Sequence, residues 1–494
     1  MGIIIRQSIK STLVSYVGTF IGFLTTMVIV TRWLTAEEIG LTRVLFEAAT
    51  LVATLAQLGI SSSAFRFFPR FNHREPRHKG FFTYLLLAPA CGMLVAAPLY
   101  LIFKGAIAGY FREHSALFVD YIDWVIPLAL FLVYAGVFEI YANLLQRIVI
   151  PRFIREVVTR VFIVVIYLLY GFRVIPLAGL VAGYVLVHGL ALALHYWYVS
   201  RVSTARTRRE TPESTPATRA EFVKYTLVLM IGIMGNAVAA RLDLFMVSGM
   251  LGLDSGGIYT IAFFMAAIIE LPSRSITAIS TPIAADALQA GDFPRANLLY
   301  KKVALHQMVI GGMIFLLLWA NIDNVYDVIP NGDNFREGKY VVFFVGLSRL
   351  IILFLGFGYP LLSFSRHYRW TLYLTLFVSA LTAYANYLLI PRLGITGSAL
   401  ATLLAVVITY AVQQWLVLAK LKGNPYSPAI FKALLLIAAL FGLNALLPRL
   451  GDPWVDSFYR TAILVTAGGA TLYRLHLSEE IDMLARKFFQ RFTK

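Results

Sequence analysis

Eight ionisable residues stand deep inside otherwise apolar runs of this 494-residue chain: Arg43, Glu47, Glu139, Arg241, Asp243, Glu270, Arg274 and Arg349. A charge in hydrocarbon is costly, so each needs a partner or a task. Arginine in such places points to anion chemistry, because guanidinium is planar, always charged and donates paired hydrogen bonds to phosphate oxygens. Nothing points to bond-making. No Ser/His/Asp arrangement stands out, no phosphate-cradling Gly/Lys loop is present, and Cys91 is the single cysteine, which excludes an intrachain disulfide and a multi-cysteine metal site. His188 and His195 are two helical turns apart on one face, but no Cys or acid accompanies them, and packing is preferred over metal binding. The expectation is therefore no catalytic residue, no metal and no cofactor.

Spacing separates local pairs from residues that need a distant partner. Arg43 and Glu47 are four apart and share a helix face, with Arg43 about 6 Å of rise from the end of its span. Glu270 and Arg274 are four apart in the favourable acid-first order, with Pro272 between them to kink the helix and free backbone groups. Arg241 and Asp243 are two apart and cannot face each other on a regular helix. Arg349 lies about 14 Å of rise into its span with no acid near in sequence. Glu139 is equally isolated, and an Arg349–Glu139 contact is the alternative to a substrate role. The ranking for substrate contact is Arg349, Arg241, Arg274, then Arg66 at the cytoplasmic mouth. Asp243, Glu270, Glu139, Glu47 and Arg43 are candidates for coupling or ion pairing. Four deep arginines face four deep acids, so composition alone does not make a cationic lumen.

Only membrane helices can carry these residues. The chain is 59% hydrophobic and 14% charged, with mean hydropathy +0.74, against about 45–50% and about 25% for soluble chains. A water-soluble enzyme is excluded. Fourteen apolar runs reach span length, near 10–31, 38–65, 80–103, 119–145, 154–171, 176–199, 223–248, 257–283, 303–320, 340–363, 370–390, 395–419, 430–447 and 455–475. With both termini in the cytoplasm, 29 of the 43 Lys and Arg fall on the inner side and 8 outside, which fits the positive-inside rule and explains the net charge of +17 without nucleic acid.

The chain also resembles itself at an offset near 216. Gly40 and Gly257 each open a long span, and Pro176 with Gly179 matches Pro391 with Gly394. This predicts a six-helix lobe over 1–200, a polar cytoplasmic linker over 201–220, a second six-helix lobe over 221–422, and two extra spans over 423–476. A parallel repeat of this kind places its pseudo-twofold axis along the membrane normal. Residues 477–494 follow as an amphipathic helix, with Ile481, Leu484, Phe488 and Phe492 on one stripe and basic residues suited to anionic headgroups.

Three stretches carry a family likeness. Trp33-Leu-Thr-Ala-Glu-Glu-Ile-Gly40 with Gln57-Leu-Gly-Ile-Ser-Ser-Ser-Ala-Phe-Arg66 is the first. Arg241-Leu-Asp243-Leu-Phe-Met-Val-Ser-Gly-Met-Leu-Gly252 is the second, and Asn386-Tyr-Leu-Leu-Ile-Pro391-Arg-Leu-Gly394-Ile-Thr-Gly397 the third. In these the chain resembles the polysaccharide repeat-unit (Wzx-type) flippases, whose superfamily also holds lipid II flippases and multidrug exporters. The resemblance implies an all-α membrane fold of two six-helix lobes, in the bacterial inner membrane, moving a lipid-linked oligosaccharide outward by alternating access. Membrane lipids and other polysaccharide-assembly proteins are the implied partners. A pyrophosphate-linked cargo is a permanent anion, so the negative-inside membrane potential is the expected energy source, with Na+ or H+ coupling as the alternatives. A cation-coupled exporter of small amphiphiles is the alternative on the same fold. A membrane glycosyltransferase or polymerase is a third class, disfavoured by short outer loops.

Overall fold

Inside hydrocarbon every backbone N–H and C=O must be paired within the protein, which leaves helices or closed barrels. The computed structural model describes residues 2–68, 81–202 and 232–475, together with 226 and 230; these residues are mostly helical, joined by short turns, and none is in a strand. The expected all-α membrane fold is therefore observed. Two compact units divide the chain, Met1–Gly257 and Ile258–Lys494.

The first unit holds α1 (Gly2–Leu24), α2 (Ala36–Ala56), α3 (Ile60–Phe67), α4 (Phe81–Arg112), α5 (Val125–Leu144), α6 (Thr159–Gly171), α7 (Leu177–Val202), α8 (Leu242–Leu251) and the start of α9 (Leu253–Ala267). Helix α2 packs on α4 and α5, and α5 on α7. Their core gathers Ile60, Leu85, Val137, Phe138 and Tyr141. Thr35 opens α2 with a reciprocal cap: its hydroxyl accepts from Glu38 N and the Glu38 carboxylate accepts from Thr35 N. The Tyr170 hydroxyl donates to the other Glu38 oxygen, so the cap also docks the end of α6. Two π-helical turns interrupt the regular ladder, Thr25–Val30 after α1 and Ile154–Val158 before α6.

The second unit holds α10 (Leu271–Gln289), α11 (Phe293–Ala320), α12 (Ile322–Val328), α13 (Lys339–Leu355), α14 (Arg369–Leu421), α15 (Pro428–Leu446) and α16 (Pro453–Leu475). Helix α11 is central, packing on α10, α13 and α15. Asp292 caps α11 and Ser427 caps α15, each followed by a proline in the first turn, where a missing N–H costs nothing. The single Tyr300 hydroxyl proton in α11 is shared between Gln414 Oε1 in α14, at 2.8 Å, and Leu355 O at the end of α13, at 3.1 Å, which ties three helices together through one buried group.

Ten helices among the described residues are long and apolar enough to cross a membrane. One of them, α14, runs 53 residues and contains both expected spans 370–390 and 395–419. It breaks at Gly394 (φ 60, ψ −142), three residues after Pro391. The expected span 154–171 opens with the second π turn, which leaves α6 only 13 residues long. The stretch 223–248 is interrupted by a turn at Ala240 and Arg241, and part of it lies outside the described residues. At 455–475 the helix forms but carries Asp456, Arg460 and Arg474. The linker after residue 202 and the tail helix at 477–494 lie outside the described residues.

The sequence repeat has one physical counterpart within the first unit. A Cβ on Gly40 would overlap the carbonyl oxygen of Leu253, and a Cβ on Gly257 would overlap that of Ala36. Both residue pairs are 217 positions apart, Ala36 with Leu253 and Gly40 with Gly257. Two equivalent helix starts therefore cross backbone to backbone, each supplying the glycine that admits the other. The Pro–Gly motifs diverge instead. Gly394 adopts a positive φ, whereas Gly179 is helical in α7 and Arg173 takes the left-handed turn before it (φ 58).

Candidate functional site

In the first unit the deep charges converge on Glu47. This carboxylate projects from α2, is 7% exposed, and receives Arg43 Nη2 at 2.8 Å from one turn earlier. Its second oxygen lies 2.6 Å from Arg241 Nε. Arg241 stands at a break: the helical run through Ala239 ends in a turn at Ala240 and Arg241, and α8 begins at Leu242. Its Nη1 donates to Ala237 O at 2.8 Å, so the guanidinium is braced by the helix before the break and by α2. Two guanidiniums thus share one carboxylate, leaving uncompensated positive charge on the trio. The Arg43 side chain remains 45% accessible. Asp243 occupies the first turn of α8, where a carboxylate favours the N-terminal dipole.

A second constellation occupies the other unit. Arg349 Nη1 donates to Glu270 Oε1 at 2.8 Å, and the guanidinium carbon stands 4.9 Å from the Phe263 ring centroid. Both partners are about one quarter accessible, 22% for Arg349 and 24% for Glu270. Glu270 is again at a break, the 3₁₀ turn Ile268–Glu270 between α9 and α10, with Pro272 opening the next helix. A guanidinium with one carboxylate contact and one aromatic face keeps N–H donors for a further acceptor.

These pairings differ from two expectations. No ion pair joins Glu270 to Arg274: the 3₁₀ turn rotates Glu270 off the α10 face, and Arg274 is exposed. Glu139 is not isolated but has a partner within the first unit. Arg155 Nη1 lies 2.8 Å from both Glu139 oxygens, because the π turn at Ile154–Val158 turns Arg155 toward α5. The same turn presents Glu156 to Arg155 and to Arg160, whose Nη1 donates to Gly18 O at 2.6 Å. No local spacing marks this charge ladder, because Arg155 stands at the cytoplasmic edge of the expected span 154–171 and its partner Glu139 lies in another helix. Arg66 lies on α3, and its side chain is outside the described residues. His188 and His195 each donate through Nδ1 to the carbonyl four residues back, Tyr184 and Ala191, and both are buried. Among the described residues no group of His, Cys, Asp and Glu could hold a metal.

Residues 5–284, more than half of the chain, match the polysaccharide biosynthesis protein family. No curated protein matches the sequence. Among solved structures the chain is similar to a lipid II flippase, MurJ, in an inward closed conformation, with TM-score 0.73 and 11% identity over 96% of this chain and 100% of that one. It is also similar to an inward-facing multidrug resistance MATE transporter of the MOP superfamily, with TM-score 0.62, 14% identity, 83% of this chain and 96% of that one. A MOP superfamily transporter from Pyrococcus furiosus gives TM-score 0.53 and 15% identity, over 85% of this chain and 96% of that one. The chain belongs to the polysaccharide biosynthesis protein family and carries the all-helical fold of MOP-superfamily transporters.

Proposed function

We propose that the protein is a flippase that moves a polyprenyl-pyrophosphate-linked oligosaccharide across the bacterial inner membrane by alternating access. It would supply surface polysaccharide such as the O-antigen of lipopolysaccharide. The observation that carries this reading is the trio Arg43–Glu47–Arg241, two guanidiniums on one carboxylate at a broken helix in an apolar chain. Discontinuous helices are where transporters bind charged cargo near the midplane. A pyrophosphate needs paired, permanently charged donors in low dielectric, and Arg241 keeps Nη2 for that task while Glu47 holds it in place. Arg349 is the equivalent donor in the second unit, with Arg274 and Arg66 as further contacts and Asp243, Glu270 and Glu139 holding or coupling. Family membership supports polysaccharide assembly as the setting, and the 29-to-8 distribution of basic residues supports cytoplasmic termini.

The test is a deletion strain of the native host. Lipid-linked repeat units should accumulate and surface glycan should fall, with recovery on wild-type complementation and none with an inserted, folded Arg241→Ala variant. Unchanged glycan with raised sensitivity to amphiphilic drugs would replace this reading with the cation-coupled exporter.

A further inference from the structure

The second unit holds a polar cavity of about 140 Å³ that the anion site does not use. It opens where α11 ends, α12 runs, α13 begins and α15 stops. Lys339 on its rim is ten residues, about 15 Å of rise, from Arg349 along α13.

Its floor is fixed by Asp456, 1% exposed, which accepts from Asn324 Nδ2 at 2.7 Å, Leu450 N at 2.8 Å and Arg460 Nε at 2.7 Å. Arg460 in turn donates to Asn444 Oδ1 at 3.0 Å. These bonds orient two amides and occupy one end of each. The Asn324 carbonyl oxygen and the Asn444 amino group make no bond among the described residues, so the cavity lining keeps one acceptor and one donor.

The rim is charged but balanced. Lys339 Nζ lies 2.8 Å from Asp323 Oδ1, Arg449 Nη2 donates to Asp327 Oδ2 at 3.1 Å, and Arg336 binds Asp327 and Asp333. The lining itself holds three cations, Lys339, Arg449 and Arg460, and two carboxylates, Asp323 and Asp456; Asp327 behind it supplies the third, so each lining cation is paired with a carboxylate and no unpaired charge selects an anion or a cation. The remaining wall is the Trp319 indole with Ala320 and Ile322; Phe343 packs on Trp319 at 4.7 Å between ring centroids, and the Lys339 ammonium, 5.5 Å from the Trp319 centroid, borders the same ring.

A neutral ligand with one apolar face and a ring of groups that both donate and accept satisfies all three surfaces. That is the chemistry of a pyranose. We propose that this cavity is a subsite for one neutral sugar ring, its C–H face on Trp319 and its hydroxyls on Asn324, Asn444 and the Asp323–Lys339 pair. The source of the sugar rests on the flippase reading: in the proposed orientation this end is extracytoplasmic, where the glycan of the delivered lipid arrives.

The test uses the full chain purified in detergent and titrated with glucose, galactose and N-acetylglucosamine by saturation-transfer NMR. Saturable millimolar binding is expected for at least one of them. Trp319→Ala and Asn444→Ala should each weaken it by about tenfold, the loss of an aromatic or hydrogen-bonding contact, and Trp319→Phe should retain most of it. Thermal unfolding identifies any variant that fails to fold, and the Phe variant then carries the comparison. No saturable binding to wild type, or equal binding to wild type and folded Ala variants, overturns the subsite. A second arm compares flipping of lipid-linked oligosaccharide and of sugar-free polyprenyl pyrophosphate in proteoliposomes. A higher KM for the glycosylated lipid alone in Trp319→Ala assigns the subsite to the cargo. An unchanged KM with sugar binding lost keeps the subsite and assigns it to another glycan. Failure of wild type to flip either lipid overturns the flippase reading, and the titration still decides on the cavity.

Discussion

At the residue scale the question is whether each buried arginine holds the protein together or holds a substrate. Arg349 and Glu270 allow the two to be told apart. Removing one partner leaves the other charge in a largely dehydrated setting, which costs about 3–5 kcal/mol for a buried pair, less for these partly accessible groups. Arg349→Ala and Glu270→Ala should each lower thermal stability in detergent, and the double variant should recover part of the loss through a coupling energy of about 0.5–3 kcal/mol. Flipping in proteoliposomes should not follow the same pattern. A hydrogen bond to a charged group contributes about 1.5–3 kcal/mol, so Arg349→Ala and the double variant should both lose about 10- to 150-fold in transport. A double variant that regained transport with stability would reduce Arg349 to a structural role. Some of this was legible beforehand. Arg43 and Glu47 pair as their four-residue spacing requires. Arg241 reaches the same carboxylate from 194 positions away, and no local pattern carries that information. Glu270 has the right spacing for Arg274 and still binds Arg349, because a 3₁₀ turn changes its angular position and spacing rules assume a continuous α-helix.

At the element scale the sites occur where helices are interrupted. Arg241 follows a turn and Glu270 ends a 3₁₀ segment, while the Arg155 ladder is built on a π turn. Hydropathy locates spans because it averages over a window, and the same averaging hides a break of two or three residues. Eleven of the expected runs fall on the ten span-length helices among the described residues, while 154–171, 223–248 and 455–475 do not, and the interruptions that aim the charged groups are missed. The glycine crossing is the opposite case. Gly40 and Gly257 are visible as matched repeat positions, and their meaning appears only when each lies against the other's helix start. Contact through backbone oxygens leaves no room to repack, so Gly40→Val should force the α2 and α9 starts apart. Overpacking costs about 1–3 kcal/mol. Gly257→Val should cost a similar amount, and the double variant less than the sum, since the first substitution already opens the shared crossing. Thermal unfolding of the three variants measures this. Strict additivity would mean that the two glycines act at separate contacts.

At the scale of the whole molecule, the charge distribution and the direction of transport can be joined. Basic residues concentrated on one side fix which way the chain inserts. In the inner membrane proposed for it, the protein works in a potential that is negative inside. In the proposed flipping reaction, guanidiniums that neutralise a pyrophosphate during crossing would not cancel its charge over a full cycle, because they would return empty to their starting positions. The net charge moved per cycle is therefore that of the cargo, whatever the arginines carry in a half-step. At about 2.3 kcal/mol per charge per 100 mV, two uncompensated negative charges favour the outer leaflet by roughly 4–5 kcal/mol. That exceeds a thousandfold in the equilibrium distribution, enough to drive export without ATP or a coupling ion. An inside-negative potassium-diffusion potential imposed on proteoliposomes should then drive lipid-linked oligosaccharide outward, collapse of that potential should halt accumulation, and a Na+ or H+ gradient at zero potential should not replace it. Accumulation that followed a cation gradient and ignored the potential would place the driving force on the acids. Glu270, Asp243 and Glu139 would then be the residues to neutralise one at a time, and the arginines would be left with binding alone.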